Sequence, residues 1–329
     1  MNAPQHPVRW GIAGTGSISQ QMAADFALTG NSQTIAVSSR NVETAGAFAE
    51  TFGIALPYGR YDDLLADDTV EAVYIGTPHA THYEMAKRTM EAGKHVLCEK
   101  PVTLNSDELA DLLAAAKAAG VFFMEAMWMK FNPTFVSLRE LLDSGEIGEV
   151  RSVRAAFGLP FPHDDSSRWK AELFGSTLLD QGIYPITLAE MLLGSPDEAR
   201  ARGVVRPDGV DLTEHITFDY TDGRFAQLAA SMVEFIDLSA SINGTRGWVT
   251  IPGPFWPASE YTVHRPSADD FRAERRVQFE RHGNGYVPML RAVSTAIRDG
   301  LTEHPLHTWD DSARVFAILD EVSRQIGRK

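Results

Sequence analysis

Across 329 residues there is a single cysteine, Cys98. One thiol excludes an intrachain disulfide and fits a reducing compartment. No apolar run reaches the about 20 residues that cross a bilayer. The opening MNAPQHPVRW lacks a basic start followed by an apolar stretch, so no signal peptide is expected either. Positive charge is scarce: 30 Lys and Arg stand against 44 Asp and Glu, a formal net charge of −14. That balance excludes a general binder of nucleic acid or anionic membrane, while leaving room for a local basic pocket fitted to one phosphate. Repeats and low-complexity tracts are missing. What remains is the composition of a soluble cytoplasmic protein, 44% hydrophobic and 22% charged, long enough for two domains.

The first third alternates strand-like and helix-like segments. VRWGIAG (8–14), TIAVSS (34–39), VEAVYIGTP (70–78), KHVLCEK (94–100) and VFFMEAM (121–127) read as strands. Between the first two, Ile18, Met22 and Phe26 fall on one helical face. A helix over 41–53 starts at an Asn41 cap and stops at Gly53. Another over 103–120 has Asn105 as cap with Glu108 three residues on, a capping-box arrangement, and Gly120 as its end. This alternation implies right-handed crossovers and a parallel sheet. Near residue 128 the pattern changes. A short helix (133–145) and a half-exposed strand (150–161) precede a long helix (176–194), for which Pro185 predicts a kink. Period-2 segments such as 215–220 and 224–234 follow, with DG and NG pairs as hairpin signals, and two helices close the chain. The reading is an α/β nucleotide-binding domain at 1–127 and an α+β domain on an antiparallel or mixed sheet at 128–329.

Gly14-x-Gly16-x-x-Ser19 lies directly between the first strand and the first helix. Glycines there permit the tight turn and close approach to a pyrophosphate, and the helix N-terminus at Ser17 and Ile18 favours its charge. Ser19 stands where a third Gly or Ala is usual, and it is small enough for close packing. An NAD site wants an acidic residue about 20 residues on to hold the ribose hydroxyls. Here the second strand ends in Ser38, Ser39 and Arg40, with no carboxylate before Glu43. A hydroxyl and a guanidinium suit a 2′-phosphate, which favours NADP over NAD.

Ligands of such sheets bind beyond the carboxyl ends of the strands. Three of those ends are chemically unusual: Thr77-Pro78-His79-Ala-Thr-His82, Cys98-Glu99-Lys100-Pro101, and the stretch containing Trp128. His79 and His82 have no third ligand at a recognisable spacing, so they read as capping or cofactor contacts rather than metal ligands. His163, Asp164 and Asp165 likewise lack a convincing partner, and no metal is expected. Cys98 reads as a small buried hydrophobe. Downstream, Asp180 and Tyr184 are four apart on one helical segment. Lys100, Asp180 and Tyr184 together have the chemistry to bind and deprotonate an alcohol. A phenol near pKa 10 needs a shift of about 3 units to act at neutral pH, which a close ammonium in a dry site supplies.

The glycine loop, the TPHATH stretch, the EKP motif and the Asp180-x-x-x-Tyr184 pair resemble the oxidoreductase family typified by glucose–fructose oxidoreductase, inositol dehydrogenase and MocA. The tyrosine in place of histidine, EAMWMKFNP, NGTRGWVTI and the Phe255–Trp256 pair resemble its branch of dihydrodiol and NADP-dependent xylose dehydrogenases. The resemblance implies a doubly wound Rossmann domain plus a C-terminal domain with an open, mostly antiparallel sheet that forms a homo-oligomer interface, dimer or tetramer. It implies a small-molecule substrate (a sugar, polyol or trans-dihydrodiol), catalysis by Lys100 with Asp180 and Tyr184, and Glu99 and Trp128 near the cofactor. Whether Lys100 or Tyr184 takes the proton stays open. Arg154, Arg168, Trp169, Trp256 and Phe279 are candidates for the substrate side, each equally able to support the fold. A non-catalytic NADP-sensing regulator on the same fold is the alternative.

Overall fold

The computed structural model describes residues 6–267, 269–270 and 272–328. In its first part run β1 (Val8–Ala13), α1 (Ser17–Phe26), β2 (Ser32–Ser38), α2 (Val42–Phe52), β3 (Leu56–Tyr58), α3 (Tyr61–Leu65), β4 (Ala72–Ile75), α4 (His82–Glu91), β5 (His95–Cys98), α5 (Ser106–Ala119) and β6 (Phe123–Glu125). There follow α6 (Pro133–Asp143), β7 (Val150–Gly158), α7 (Ile183–Leu193), β8 (Glu198–Val205), β9 (Asp211–Asp219), β10 (Phe225–Ser231), β11 (Ala240–Gly244), β12 (Trp248–Ile251), β13 (Glu260–His264), β14 (Glu274–Gln278), α8 (Val287–Arg298) and α9 (Trp309–Ile326). Contacts divide the chain into two units, Met1–Asn132 with Arg281–Ser312, and Pro133–Glu280 with Ala313–Lys329.

The first unit holds a six-stranded sheet in the order β3-β2-β1-β4-β5-β6, parallel throughout. Its central strands are buried on both faces: Val8, Trp10 and Ile12 of β1 and all of β4 are shut from solvent, which is why they read as near-continuous apolar runs. Local signals set the helix ends. Asn41 Oδ1 accepts from Thr44 N at 2.9 Å, and Gly53 ends α2 in the left-handed conformation. Asn105 Oδ1 accepts from Glu108 N at 2.9 Å, while Glu108 reaches back to the N–H of Leu104, one residue earlier than a standard capping box.

Residues 281–312 return to this unit rather than staying with the sequence that precedes them. Asp25, buried on α1, receives the N–H groups of Asn284 and Tyr286 at 2.8 Å each. The Trp10 indole donates to Ser294 at 3.1 Å. Both contacts span about 260 residues or more, so no local pattern announces them.

The second unit holds an eight-stranded sheet ordered β14-β13-β12-β11-β7-β10-β9-β8. Only β7 and β10 pair in parallel; the other neighbours are antiparallel. The Asp222-Gly223 turn closes the β9–β10 hairpin with Gly223 at φ 80°. On β7, Phe157 makes an aromatic contact with Tyr184 of α7. Arg154 is exposed, and the two-residue alternation of a strand puts it on the opposite face from Phe157.

The kink expected at Pro185 takes a specific form. A π-helical turn, Leu178–Gly182, comes first, and α7 begins at Ile183 with Pro185 in its opening turn. Proline has no N–H for the Gln181 carbonyl and its ring crowds that carbonyl, so the helix widens just before it. Asp180 therefore sits on a π turn, not on the regular α-helix that the four-residue spacing with Tyr184 suggested.

Candidate active site

In the first unit the candidates gather where strand order reverses between β1 and β4, beyond the carboxyl ends of the strands. Gly14 has φ 97°, and a Cβ there would stand 2.8 Å from the Gly76 carbonyl oxygen, so only glycine fits. Gly16 caps α1 with no side-chain hydrogen bond, and a Cβ on it would meet nothing within 4 Å. No acidic residue occupies the first turn, where Ser17 is exposed and Ile18 half-buried. An open helix N-terminus without a competing carboxylate fits a pyrophosphate. Ser19 is fully buried and donates to the Gly76 carbonyl at 3.3 Å, tying α1 to the end of β4. Ser39, half-buried, and the exposed Arg40 follow β2 directly.

The TPHATH stretch is built around His82, which is wholly buried. Its Nε2 lies 2.7 Å from the Thr77 carbonyl and its Nδ1 2.8 Å from that of Pro101. Burial holds its pKa down while the two carbonyls pull the other way, and a neutral ring donates to only one of them. His82 thus ties the loop after β4 to the Lys100-Pro101 turn. Thr77, half-buried, takes a hydrogen bond from Thr81 at 2.7 Å. Pro78 is exposed, and the His79 ring lies 5.7 Å from that of His82. Among the described residues no three His, Cys, Asp or Glu side chains are grouped to hold a metal.

Lys100 is half-buried at the turn after β5. The preceding Glu99 is buried and accepts from Tyr74 OH at 2.9 Å. Burial pushes its carboxyl up to about 7, against the opposing pull of the Lys100 charge. On the other side of the turn, Glu125 Oε1 accepts from Val102 N at 3.0 Å, and His307 stands 3.5 Å from Glu125 Oε2. The turn that presents Lys100 is therefore held from both ends by buried side chains. Cys98 is fully buried and its thiol is pushed well above the usual range, so it is no nucleophile. Trp128 is buried against Tyr286, ring centroids 4.9 Å apart.

In the second unit the π turn is fastened at its start. Asp211 Oδ2 accepts from Leu178 N at 2.7 Å and the Asp211 carbonyl from Thr177 Oγ1 at 3.0 Å. Further along, Gln181 Nε2 donates to the carbonyls of Ser231 and Phe157. Asp180 pairs with Arg168, Nε to Oδ2 at 3.0 Å. Tyr184 lies beside an aromatic wall in which Phe157 and Trp256 stack at 3.5 Å with an interplanar angle of 12°. The Tyr184 ring is 5.9 Å from Phe157 and 6.0 Å from Trp256. An acid, a phenol and a flat apolar wall are thus grouped in one unit.

The remaining substrate-side candidates go elsewhere. Trp169 is buried with Val210 and Met232, and its indole donates to the Pro162 carbonyl at 2.8 Å, which makes it a packing residue. Arg154 lines a cavity of about 730 Å³ on the open face of the sheet, with Arg202 and His215 but neither Asp180 nor Tyr184. Phe279 is half-buried just after β14 and donates its N–H to the Ser259 carbonyl at 2.7 Å. Sequence reasoning did not single out Phe157, Asp211, Tyr74 or Glu125. Phe157 carried a faint signal as an apolar residue at the end of an alternating strand, Glu125 opened the EAMWMKFNP stretch without being marked in it, and Asp211 and Tyr74 carried none.

Residues 8–127 match the oxidoreductase family described as GFO_IDH_MocA with an NAD-binding Rossmann fold, and residues 135–250 match that family's C-terminal domain. Trans-1,2-dihydrobenzene-1,2-diol dehydrogenases are similar over the whole length. The Xenopus laevis protein is 32% identical, covering 97% of this chain and 98% of its own, and the Bos taurus protein 33%, covering 97% of each. A 3-ketoreductase from Actinomadura kijaniata, solved with NADP and TDP-benzene, superposes with a TM-score of 0.85 at 29% identity over 97% of this chain and 98% of that one. A levoglucosan dehydrogenase solved with NADH and levoglucosan shares the fold, with a TM-score of 0.88 at 21% identity over 98% of both chains. No helix among the described residues is long and apolar enough to cross a membrane. With a full-length likeness above 30% identity and the family's two domains matched in order, the chain belongs to the Gfo/Idh/MocA family of NAD(P)-dependent oxidoreductases.

Proposed function

We propose that this protein is an NADP-dependent dehydrogenase or reductase that transfers a hydride between the nicotinamide and a secondary alcohol or hemiacetal carbon of a sugar, polyol or trans-dihydrodiol. The observation that carries the reading is Asp180 on the π turn followed directly, in the first turn of α7, by Tyr184 beside the stacked Phe157–Trp256 pair. That wall suits a flat diol ring or the apolar face of a pyranose. NADP, when bound, supplies the hydride acceptor or donor at its nicotinamide carbon.

In the oxidative direction bound NADP⁺ would accept the hydride of the carbinol C–H bond, and the hydroxyl proton leaves to a base, so that a carbonyl forms. Asp180 binds the hydroxyl. Lys100 and Tyr184 share the proton transfer, and the ammonium of Lys100 stabilises the negative charge that develops on oxygen. On the cofactor side, Gly14, Gly16, Ser17 and Ile18 take the pyrophosphate, and Ser39 and Arg40 take the 2′-phosphate. Thr77, Pro78, His79, His82, Glu99 and Trp128 line the way to the nicotinamide. The dihydrodiol dehydrogenases and the NADP-bound ketoreductase among the similar proteins support this class of chemistry. Association into a homo-oligomer through the open face of the second sheet belongs to the same reading.

The test is the absorbance of NADPH formed by purified protein with NADP⁺ and a panel of aldoses, inositols and a trans-dihydrodiol, with NAD⁺ in parallel and keto-sugars in reverse. Turnover with NADP⁺ on any member supports the reading. Tight NADPH binding with no turnover in either direction would instead favour a sensor.

A further inference from the structure

Arg168 was a candidate for touching substrate, yet its guanidinium is committed within the protein. It lies over the Phe161 ring, 3.6 Å from the centroid, and its Nε donates to Asp180 Oδ2 at 3.0 Å. Both side chains retain modest exposure, 26% for Arg168 and 20% for Asp180, so this is neither a solvated surface pair nor a fully buried one.

The segment carrying Arg168 is wound tightly enough to aim it. Trp169, the next residue, is buried with Val210 and Met232, with Phe161, Ala171 and Leu212 packed around that group. Its indole donates to Pro162, and its carbonyl accepts from Arg206 Nη1 at 3.1 Å. His163 stacks on the same indole at 4.6 Å. At the far end, Gly175 N donates to the Lys170 carbonyl at 2.9 Å, and a Cβ on Gly175 would collide with the Arg168 carbonyl. Phe174 is the one described non-glycine residue with positive φ, 56°. Phe161 thus packs against the guanidinium itself, while the buried Trp169 anchors the backbone next to Arg168. The loop reaches the π turn through the ion pair of Arg168 with Asp180.

From this geometry we propose that Arg168 is the positioning residue for the Asp180 carboxylate. The loop from Leu159 to Gly175 delivers a rigid planar donor that sets the orientation of Asp180 on an otherwise wide π turn. π turns occur frequently at functional sites, and a carboxylate that must meet a substrate hydroxyl is sensitive to misplacement of about 1 Å. A lysine at position 168 would keep the charge but lose the planar fork and the stacking on Phe161. The proposal rests on the assignment of Asp180 to substrate in the proposed function.

The experiment is a double-mutant cycle in steady-state kinetics on the full chain, with NADP⁺ and the best substrate of the panel. Arg168→Ala is expected to lower kcat about 10- to 100-fold with KM changed less than about 3-fold. Arg168→Lys is expected to restore only part of kcat. In an Asp180→Asn background, Arg168→Ala should cost almost nothing more, because its effect runs through Asp180. Full additivity of the two losses, or a change in KM alone, would mean that Arg168 meets the substrate directly and would overturn the proposal. An Asp180→Asn enzyme with undiminished turnover would overturn the Asp180 assignment itself, a distinct result read from the single variant. Should Arg168→Ala fail to fold, Arg168→Lys and Arg168→Gln carry the same cycle.

Discussion

Arg328 and Asp211 form a buried ion pair, Nε to Oδ1 at 3.0 Å, with the Asp211 side chain fully shut from solvent and that of Arg328 10% exposed. The same Asp211 holds the start of the π turn through the N–H of Leu178. A side chain at the end of the chain is in this way linked to the element that carries Asp180.

Removing the arginine leaves a buried carboxylate without its counter-charge. Arg328→Ala should destabilise the protein by about 3–5 kcal/mol, the usual cost of breaking one side of a buried pair. Arg328→Lys should lose less. Urea unfolding of the two variants and the parent measures this, and an unchanged midpoint for Arg328→Ala would exclude the pair from the stability of the fold.

Glu214 supplies a pH-dependent term in the same place. It is fully buried, and burial together with the nearby Asp211 raises its carboxyl well above the carboxylate range. A group whose pKa is raised on folding contributes stability that is complete below its unfolded value, about 4.3 for a glutamate, and is lost as pH rises through its folded value. Glu214→Gln cannot ionise. The variant should gain stability relative to the parent as pH rises from 5 to 8, and denaturant curves at the two pH values that run parallel would refute this.

On the cofactor side, Arg40 is exposed immediately beyond β2, where a 2′-phosphate would lie in an NADP site. Arg40→Ala should weaken NADPH binding about 10- to 100-fold, in keeping with the loss of one charge-assisted contact of roughly 1.5–3 kcal/mol, and leave NADH binding nearly unchanged. Fluorescence titration with both nucleotides decides it. Equal weakening of the two would remove the 2′-phosphate assignment.

Lys100→Met keeps the length of the stem and removes the charge. Turnover should fall by about three orders of magnitude, the scale set by losing a positioned electrostatic stabiliser, while NADPH affinity stays within about 3-fold of the parent. Activity within a few-fold of the parent would mean that the EKP lysine plays no part in the chemistry.

Much of the first unit was legible in its residues because its information is local. The Asn41 and Asn105 caps, the glycine stops at 53 and 120, and the glycine loop before α1 each act within a few residues, and the structure places them as read. The second sheet was legible as a type, through alternation and DG turns, but not in its order. The parallel pairing of β7 with β10 joins residues about 73 positions apart (Phe225 with Ser152) and leaves no local trace.

The sequence by itself determined the five main strands and the capped helices of the first unit, the parallel architecture of its sheet and the family, since each depends on spacing within a segment or on motifs that survive as short strings. Tertiary structure decided the rest. It moved residues 281–312 back to the first unit through Asp25, buried Trp169 as an anchor, and turned the expected kink at Pro185 into a π turn. It also paired Arg168 with Asp180 and Arg328 with Asp211. The physical reason is common to all of these. A buried charge or a packed ring is satisfied by whichever group the fold brings within about 3–4 Å, and sequence distance carries no information about that meeting.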